Sequence, residues 1–253
     1  MLKLDMNSDM GESFGAYNMG NDLEIMKYIT SANIACGFHA GDPNTMHKTV
    51  AAAVERGVAV GAHPGLPDLQ GFGRREMTVS ALEVYDMTVY QVGALWAFAK
   101  AMGTRLNHVK THGALYNMTV RNRDLADAVA RAVRDIDPTL LVYVANANMT
   151  DAALAVGLPV AYEVFADRSY QDDGTLTPRS QPHAMIEDVN VSIDQVKKMV
   201  KEQYVMSQSG KRVTMRADTL CMHGDQPGAA LFARSIRAAL EADGIKIETF
   251  KPA

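Results

Sequence analysis

Short β-rich runs alternate with stretches of helical period from one end of this 253-residue chain to the other. The runs fall at residues 2–6, 32–36, 58–62, 106–109, 140–144, 160–165, 219–222 and 245–250. Between them the period changes: Leu82, Tyr85, Val89, Val92, Trp96 and Ala99 are spaced three and four apart, and Ser80 with Glu83 makes a capping box. This predicts a helix over 80–102, ended by Gly103. Asp42 before Pro43 reads as an N-cap with proline in the first turn, and Met46, Val50, Ala53 and Val54 form a stripe that stops at Gly57. The same logic predicts helices near 123–136, 193–207 and 228–242. No Ser/Gly-rich linker, charge block or repeat interrupts the alternation, so residues 1–253 are expected to form one domain. About seven β-α units in this length suit a parallel (β/α) barrel better than an open sheet with a Gly-rich first turn.

Composition narrows the function classes. Lys plus Arg number 25 against 29 Asp plus Glu, a formal net charge of −4 that offers nucleic acid no basic face. Hydrophobic residues at 47% and charged residues at 21% are those of a folded globular chain and exclude disorder. The first residues lack the basic and apolar regions of a signal peptide, and no window approaches the ~18 apolar residues of a membrane span. The expectation is a cytoplasmic protein without membrane contact. Cys36 and Cys221 are the only cysteines, form neither a disulfide framework nor a CxxC pair, and fit a reducing compartment.

A barrel gathers its reactive residues after the strands, where the loops converge on one mouth. Asn7, Ser8, Asp9 and Glu12 follow the first run, and Gly37, His39 and Asp42 the second. His63-Pro64-Gly65 follows the third, Lys110-Thr111-His112-Gly113 the fourth, Asp167-Arg168 the sixth, and His223-Gly224-Asp225 the seventh. His39, His63, His112 and His223 thus recur at equivalent places, beside glycines that let backbone approach a ligand. His47 and His108 read as a surface and a hydrogen-bonded core histidine; Glu12 could instead hold a turn, and Asp225 could cap a helix. Lys110 shares a period-two face with His108 and His112, and a lysine pointing into a barrel needs a carboxylate or anionic ligand. Residues 163–183 are long enough for a lid, and Arg168 has the fork that matches a substrate carboxylate. Asp9, His39 and His63 could hold a divalent metal with an open position, whereas Cys36, His39, Cys221 and His223 lack the spacing of a structural zinc module. Gly210-Lys211 does not complete a P-loop.

These blocks carry a resemblance. Asn7-Ser8-Asp9-Met10-Gly11-Glu12, Asn33-Ile34-Ala35-Cys36-Gly37-Phe38-His39-Ala40-Gly41-Asp42, Gly61-Ala62-His63-Pro64-Gly65, Lys110-Thr111-His112-Gly113 and Asp167-Arg168 resemble, in order, the motif blocks of the LamB/YcsF family. The resemblance implies a distorted, seven-stranded (β/α) barrel related to carbohydrate deacetylases. It also implies an ATP-dependent cyclic-amide hydrolase that opens 5-oxoproline to glutamate together with 5-oxoprolinase subunits B and C. The deacetylase relatives hold a metal with an Asp and two His, commonly as H-x₃-H, which this sequence lacks, so no metal is carried over. On chemical grounds the lactam oxygen is phosphorylated and water then attacks, with Asp9, His63, Lys110 and His112 as candidate catalytic residues. Asn7, Asn33, His39, Arg168 and His223 are the candidate substrate-binding residues. ATP is consumed by the complex, with its site open between this chain and a partner. The alternatives are metal-dependent sugar deacetylation and a noncatalytic subunit that holds substrate.

Overall fold

The first strand, β1 (Lys3–Met10), is paired in parallel on both sides: with β2 (Ser31–Ala35) along Asn7 to Met10, and with β9 (Thr219–Met222) along Asp5 to Ser8. That double pairing closes a ring. β3 (Ala59–His63), β4 (Leu106–Val109), β5 (Leu141–Val144) and β6 (Val160–Phe165) fill the circuit in chain order, and β6 returns to β9. The computed structural model, which describes residues 1–222 and 228–252, is therefore a closed barrel of seven parallel strands, as the alternation predicts. β10 (Lys246–Ile247) extends the start of β1 outside the ring.

The helices wrap the outside of this ring: α1 (Asp22–Ile25), α2 (Pro43–Arg56), α3 (Ala81–Ala101), α4 (Gly113–Arg121), α5 (Arg123–Ile136), α6 (Ala147–Ala155), α7 (Val189–Lys197) and α8 (Ala229–Ala242). Asp42 caps α2 by accepting from the Thr45 amide, and the Ser80–Glu83 capping box starts α3. Gly57 ends α2 in the left-handed conformation, where a Cβ would be strained. The apolar core lies between strands and helices, with Val50 and Ala53 of α2, Val92 and Leu95 of α3, and Val129 and Val133 of α5 all fully buried. Burying a Val or Leu side chain of this kind contributes about 1.5–3 kcal/mol. α5 buries four alanines, which lets it pack closely between α3 and α6.

Several elements depart from the sequence reading. β1 runs to Met10 and takes in Asn7 and Asp9, which the first apolar run leaves beyond its end, because those polar side chains find partners inside the barrel. The helix expected over 193–207 gives way to a π-helical turn, Lys198–Glu202, and then reverses at Gln203, whose φ is +57°. Tyr204–Met206 (β7) instead pairs with Arg212–Thr214 (β8) in a hairpin, turned at Gly210, where Tyr204, Val205 and Val213 favour strand over helix. α4 and α6 are too short to show a clear period and are not signalled by the sequence. Among the described residues no helix is long and apolar enough to cross a membrane.

Candidate active site

The barrel interior is a stack of polar side chains. At the bottom, Asp5 accepts from the hydroxyls of Thr30 and Ser31, both at 2.6 Å, from Tyr143 at 2.9 Å, and from Thr219. Burial raises the Asp5 pKa, and these four hydroxyl donors offset only part of the rise. One layer up, Asn7 donates to Thr219 at 2.8 Å, and Asn33 donates to Asn7 Oδ1 at 2.7 Å. His108 Nε2 donates to Asn33 Oδ1 at 2.7 Å, and its ring lies flat on Tyr143, with centroids 4.0 Å apart. Gly61 makes room for that ring, since a Cβ there would overlap it. His108 is thus the hydrogen-bonded core residue its position suggested.

The next layer reaches the mouth. Asp9 Oδ1 accepts from Asn33 Nδ2 at 2.8 Å and from Lys110 Nζ at 3.0 Å. The same ammonium lies 2.9 Å from Glu163 Oε1 and 3.1 Å from Cys221 Sγ. Burial alone would lower the lysine pKa, but the carboxylates of Asp9 and Glu163 outweigh it and hold the group well above its ordinary value, so Lys110 is a permanent cation. Burial pushes the Cys221 thiol well up, and the Cys36 thiol to about 12, leaving both as neutral buried groups.

Beside Asp9 stand three imidazoles. His63 Nε2 is 3.4 Å from Asp9 Oδ2, and His63 Nδ1 is 2.8 Å from the Lys110 carbonyl. His112 Nδ1 is 3.0 Å from His63 Nε2, and His112 Nε2 is 2.8 Å from the Phe72 carbonyl. His39 is stacked on His112, with centroids 3.7 Å apart and planes 4° off parallel. Glu12 Oε1 approaches His39 Nε2 at 3.6 Å and His112 Nδ1 at 3.7 Å. Burial, reinforced by His63, lowers the His112 pKa to about 3; burial with His112 and His63 takes His39 well below its usual value. Gly73, at φ +63°, lets the loop after β3 close over this pair, because a Cβ there would press on both His39 and His112.

A cavity of about 990 Å³ opens above these residues, at the upper end of the ~300–1,000 Å³ of small-molecule sites. Asp9, His63, Lys110, His112 and Arg168 line it, each at or just past the C-terminal end of its strand. Asn7 and Asn33, expected to touch substrate, are fully buried and do not line the cavity; Asn33 donates to Asp9, and Asn7 accepts from Asn33. His39 is fully buried behind His112 and does not reach the wall. His223 lies outside the described residues. Arg168 donates to the carbonyls of Thr177 at 2.6 Å and Ala184 at 3.3 Å, which ties down the loop that follows β6. Burial and the neighbouring Arg179 lower its pKa, and both arginines are among those that line the cavity. Sequence reasoning missed Glu163, although Ala161, Glu163 and Phe165 alternate on one face of β6 and a buried Lys110 demands a carboxylate.

The model of the LamB/YcsF family matches residues 4–253. The chain belongs to the LamB/YcsF family. Among LamB/YcsF relatives, a 5-oxoprolinase A subunit of Bordetella bronchiseptica is 68% identical, over 98% of this chain and 100% of its own length. The 5-oxoprolinase A subunit of Bacillus subtilis is 57% identical, over 98% and 96%. The crystal structure of the lactam utilization protein from Thermus thermophilus superposes with a TM-score of 0.94 at 46% identity, covering 98% of this chain and 100% of that one.

Proposed function

We propose that this chain is the A subunit of an ATP-dependent 5-oxoprolinase, a cytoplasmic enzyme completed by subunits B and C, and that it carries the hydrolytic step. The observation that supports this reading best is the buried Asp9–Lys110–Glu163 arrangement at the cavity floor, in a chain 68% identical to a protein named as a 5-oxoprolinase A subunit. A lactam is an unactivated amide. Phosphorylating its oxygen with ATP, on a partner subunit, makes the ring carbon electrophilic, and the phosphorylated lactam is what this cavity receives.

Asp9 lines the cavity and positions a water by accepting its proton as the oxygen adds to the ring carbon. The fixed charge of Lys110 offsets the negative charge that develops there, and Glu163 and Asn33 keep both groups in register without reorganising. The C–N bond breaks as the ring nitrogen takes up a proton, leaving an acyl phosphate that a second water cleaves to glutamate and phosphate. His63 and His112, at the wall, flank the attack site. Arg168, with Arg179 beside it, holds the substrate carboxylate or phosphate, which relieves the repulsion between the two guanidinium groups.

The test is glutamate formation from 5-oxoproline and ATP by the purified chain, alone and with its partner subunits. Activity is expected only in the assembled enzyme, and it is expected to vanish with Asp9→Asn. Full activity of the assembly carrying Asp9→Asn and Lys110→Met would favour the substrate-holding subunit. Deacetylation of a sugar without ATP or partners would favour the deacetylase reading.

A further inference from the structure

We propose that His63, His112 and Glu12 bind a divalent transition-metal ion at the cavity floor, with a coordination position open to the cavity. The argument rests on where the imidazole protons must be. A carbonyl oxygen only accepts, so the 2.8 Å contact between His63 Nδ1 and the Lys110 carbonyl places a proton on Nδ1, and in the neutral imidazole Nε2 is then a bare lone pair. The 2.8 Å contact between His112 Nε2 and the Phe72 carbonyl likewise leaves His112 Nδ1 bare. Those two bare nitrogens face each other at 3.0 Å. Glu12 Oε1, which also carries only lone pairs, stands 3.7 Å from His112 Nδ1. Acceptors converge here, and a positive centre among them turns the repulsion into ligation.

The surroundings match such a site. Each ligating imidazole is anchored through its other nitrogen to a backbone carbonyl, the outer-shell contact that fixes tautomer and ring orientation at metal centres. The ligand atoms of Glu12, His39, His63 and His112 all lie within 4.8 Å of one another. His39 is fully buried, and neither of its ring nitrogens has a hydrogen-bond partner among the described residues. Because its ring is parallel to that of His112 and 3.7 Å away, an ion in the His112 plane lies off the His39 plane. His39 is therefore a positioning residue, with Nε2 turned toward the Glu12 carboxylate. Asp9 Oδ1 is bound to Lys110 and Asn33, and although its Oδ2 lies 3.4 Å from His63 Nε2, Asp9 stands outside the cluster of mutually close ligand atoms, so the geometry replaces the set of Asp9, His39 and His63 that the sequence suggests. Two imidazoles with one carboxylate suit zinc and its neighbours better than magnesium or calcium, and three protein ligands facing a cavity leave a position for water or substrate. This assignment stands on donor geometry and does not depend on the lactam reading.

The experiment uses the full chain, stripped with a chelator and titrated with zinc alone and with cobalt(II) alone. The expected results are one zinc per chain by elemental analysis, a higher melting temperature with zinc, and a cobalt visible spectrum of low coordination number. His112→Ala and Glu12→Gln are expected to lose the cobalt spectrum and to weaken zinc binding at least tenfold, while Asp9→Asn keeps both. Glu12→Gln, nearly isosteric, serves if the histidine variant does not fold. Absence of stoichiometric metal in the parent chain would overturn the proposal and leave a proton shared between His63 and His112. Equal loss of zinc in Asp9→Asn and Glu12→Gln would overturn the ligand set.

Discussion

The Glu163 carboxylate, wholly buried in β6, meets the Lys110 ammonium at 2.9 Å, and the same ammonium lies 3.0 Å from Asp9. Lys110→Met strands both carboxylates without a counter-charge. Breaking a buried pair from one side costs roughly 3–5 kcal/mol, to be read from urea unfolding. Adding Glu163→Gln removes one stranded charge and is expected to restore part of that stability without restoring glutamate production. An equal loss in the single and double variants would show that the pair is not what this layer depends on.

Asp9→Asn keeps the side-chain shape and its bond to Asn33 but cannot accept a proton. Turnover of the assembled enzyme is expected to fall by about 10²–10⁴-fold with little change in KM. Unchanged turnover would remove Asp9 from water activation.

Arg168 both lines the cavity and bonds the carbonyls of Thr177 and Ala184, so Arg168→Ala carries two signatures. Substrate binding is expected to weaken by about 1.5–3 kcal/mol, and the loop over residues 169–185 is expected to become more open to protease. Loosening of the loop with unaltered binding would confine Arg168 to the scaffold.

His108 supplies part of the pH dependence, beside His39 and His112. Burial first, then the charge of Lys110 and the nearness of His63, lower its native pKa to about 3 against Asp9, which raises it. In the unfolded chain it titrates near the ordinary value of ~6.5. Between these values the unfolded chain binds a proton that the native one refuses. Its contribution is therefore whole above pH ~6.5 and is lost as pH falls toward 3, at up to ~1.4 kcal/mol per pH unit. Unfolding free energy measured across this window should flatten by one proton in His108→Gln. A slope that the substitution leaves unaltered would place the titration elsewhere.

The strands with dense β-branched and apolar content are legible in the sequence: Leu106–Val109, Val160–Phe165 and Thr219–Met222 fall where the runs predict them. β1 reads too short because its inner face is Asp5, Asn7 and Asp9, which looks like a loop until the partners from β2, β4, β5 and β9 are known. The same long-range partners decide the site. Asp9, His63, Lys110 and His112 can be named because they cluster after runs with glycines, yet Asn33 and Asn7 cannot be told from ligand contacts without knowing which layer of the barrel they occupy. Glu163 hides within an apolar strand, and its role follows from a lysine 53 positions earlier in the chain.

The double pairing of β1 has a kinetic consequence. Its second neighbour, β9, begins at Thr219, more than two hundred residues downstream, and the link from Thr219 to Asp5 closes the ring. Loop-closure entropy makes so distant a contact late to form. A chain emerging from the ribosome therefore exposes the Asp5, Asn7 and Asp9 face to water until nearly all of it has been made. That face is polar and has no apolar surface to hide during the wait. The acids and amides that position the chemistry in the finished barrel thus also keep its first strand in solution while the last one arrives.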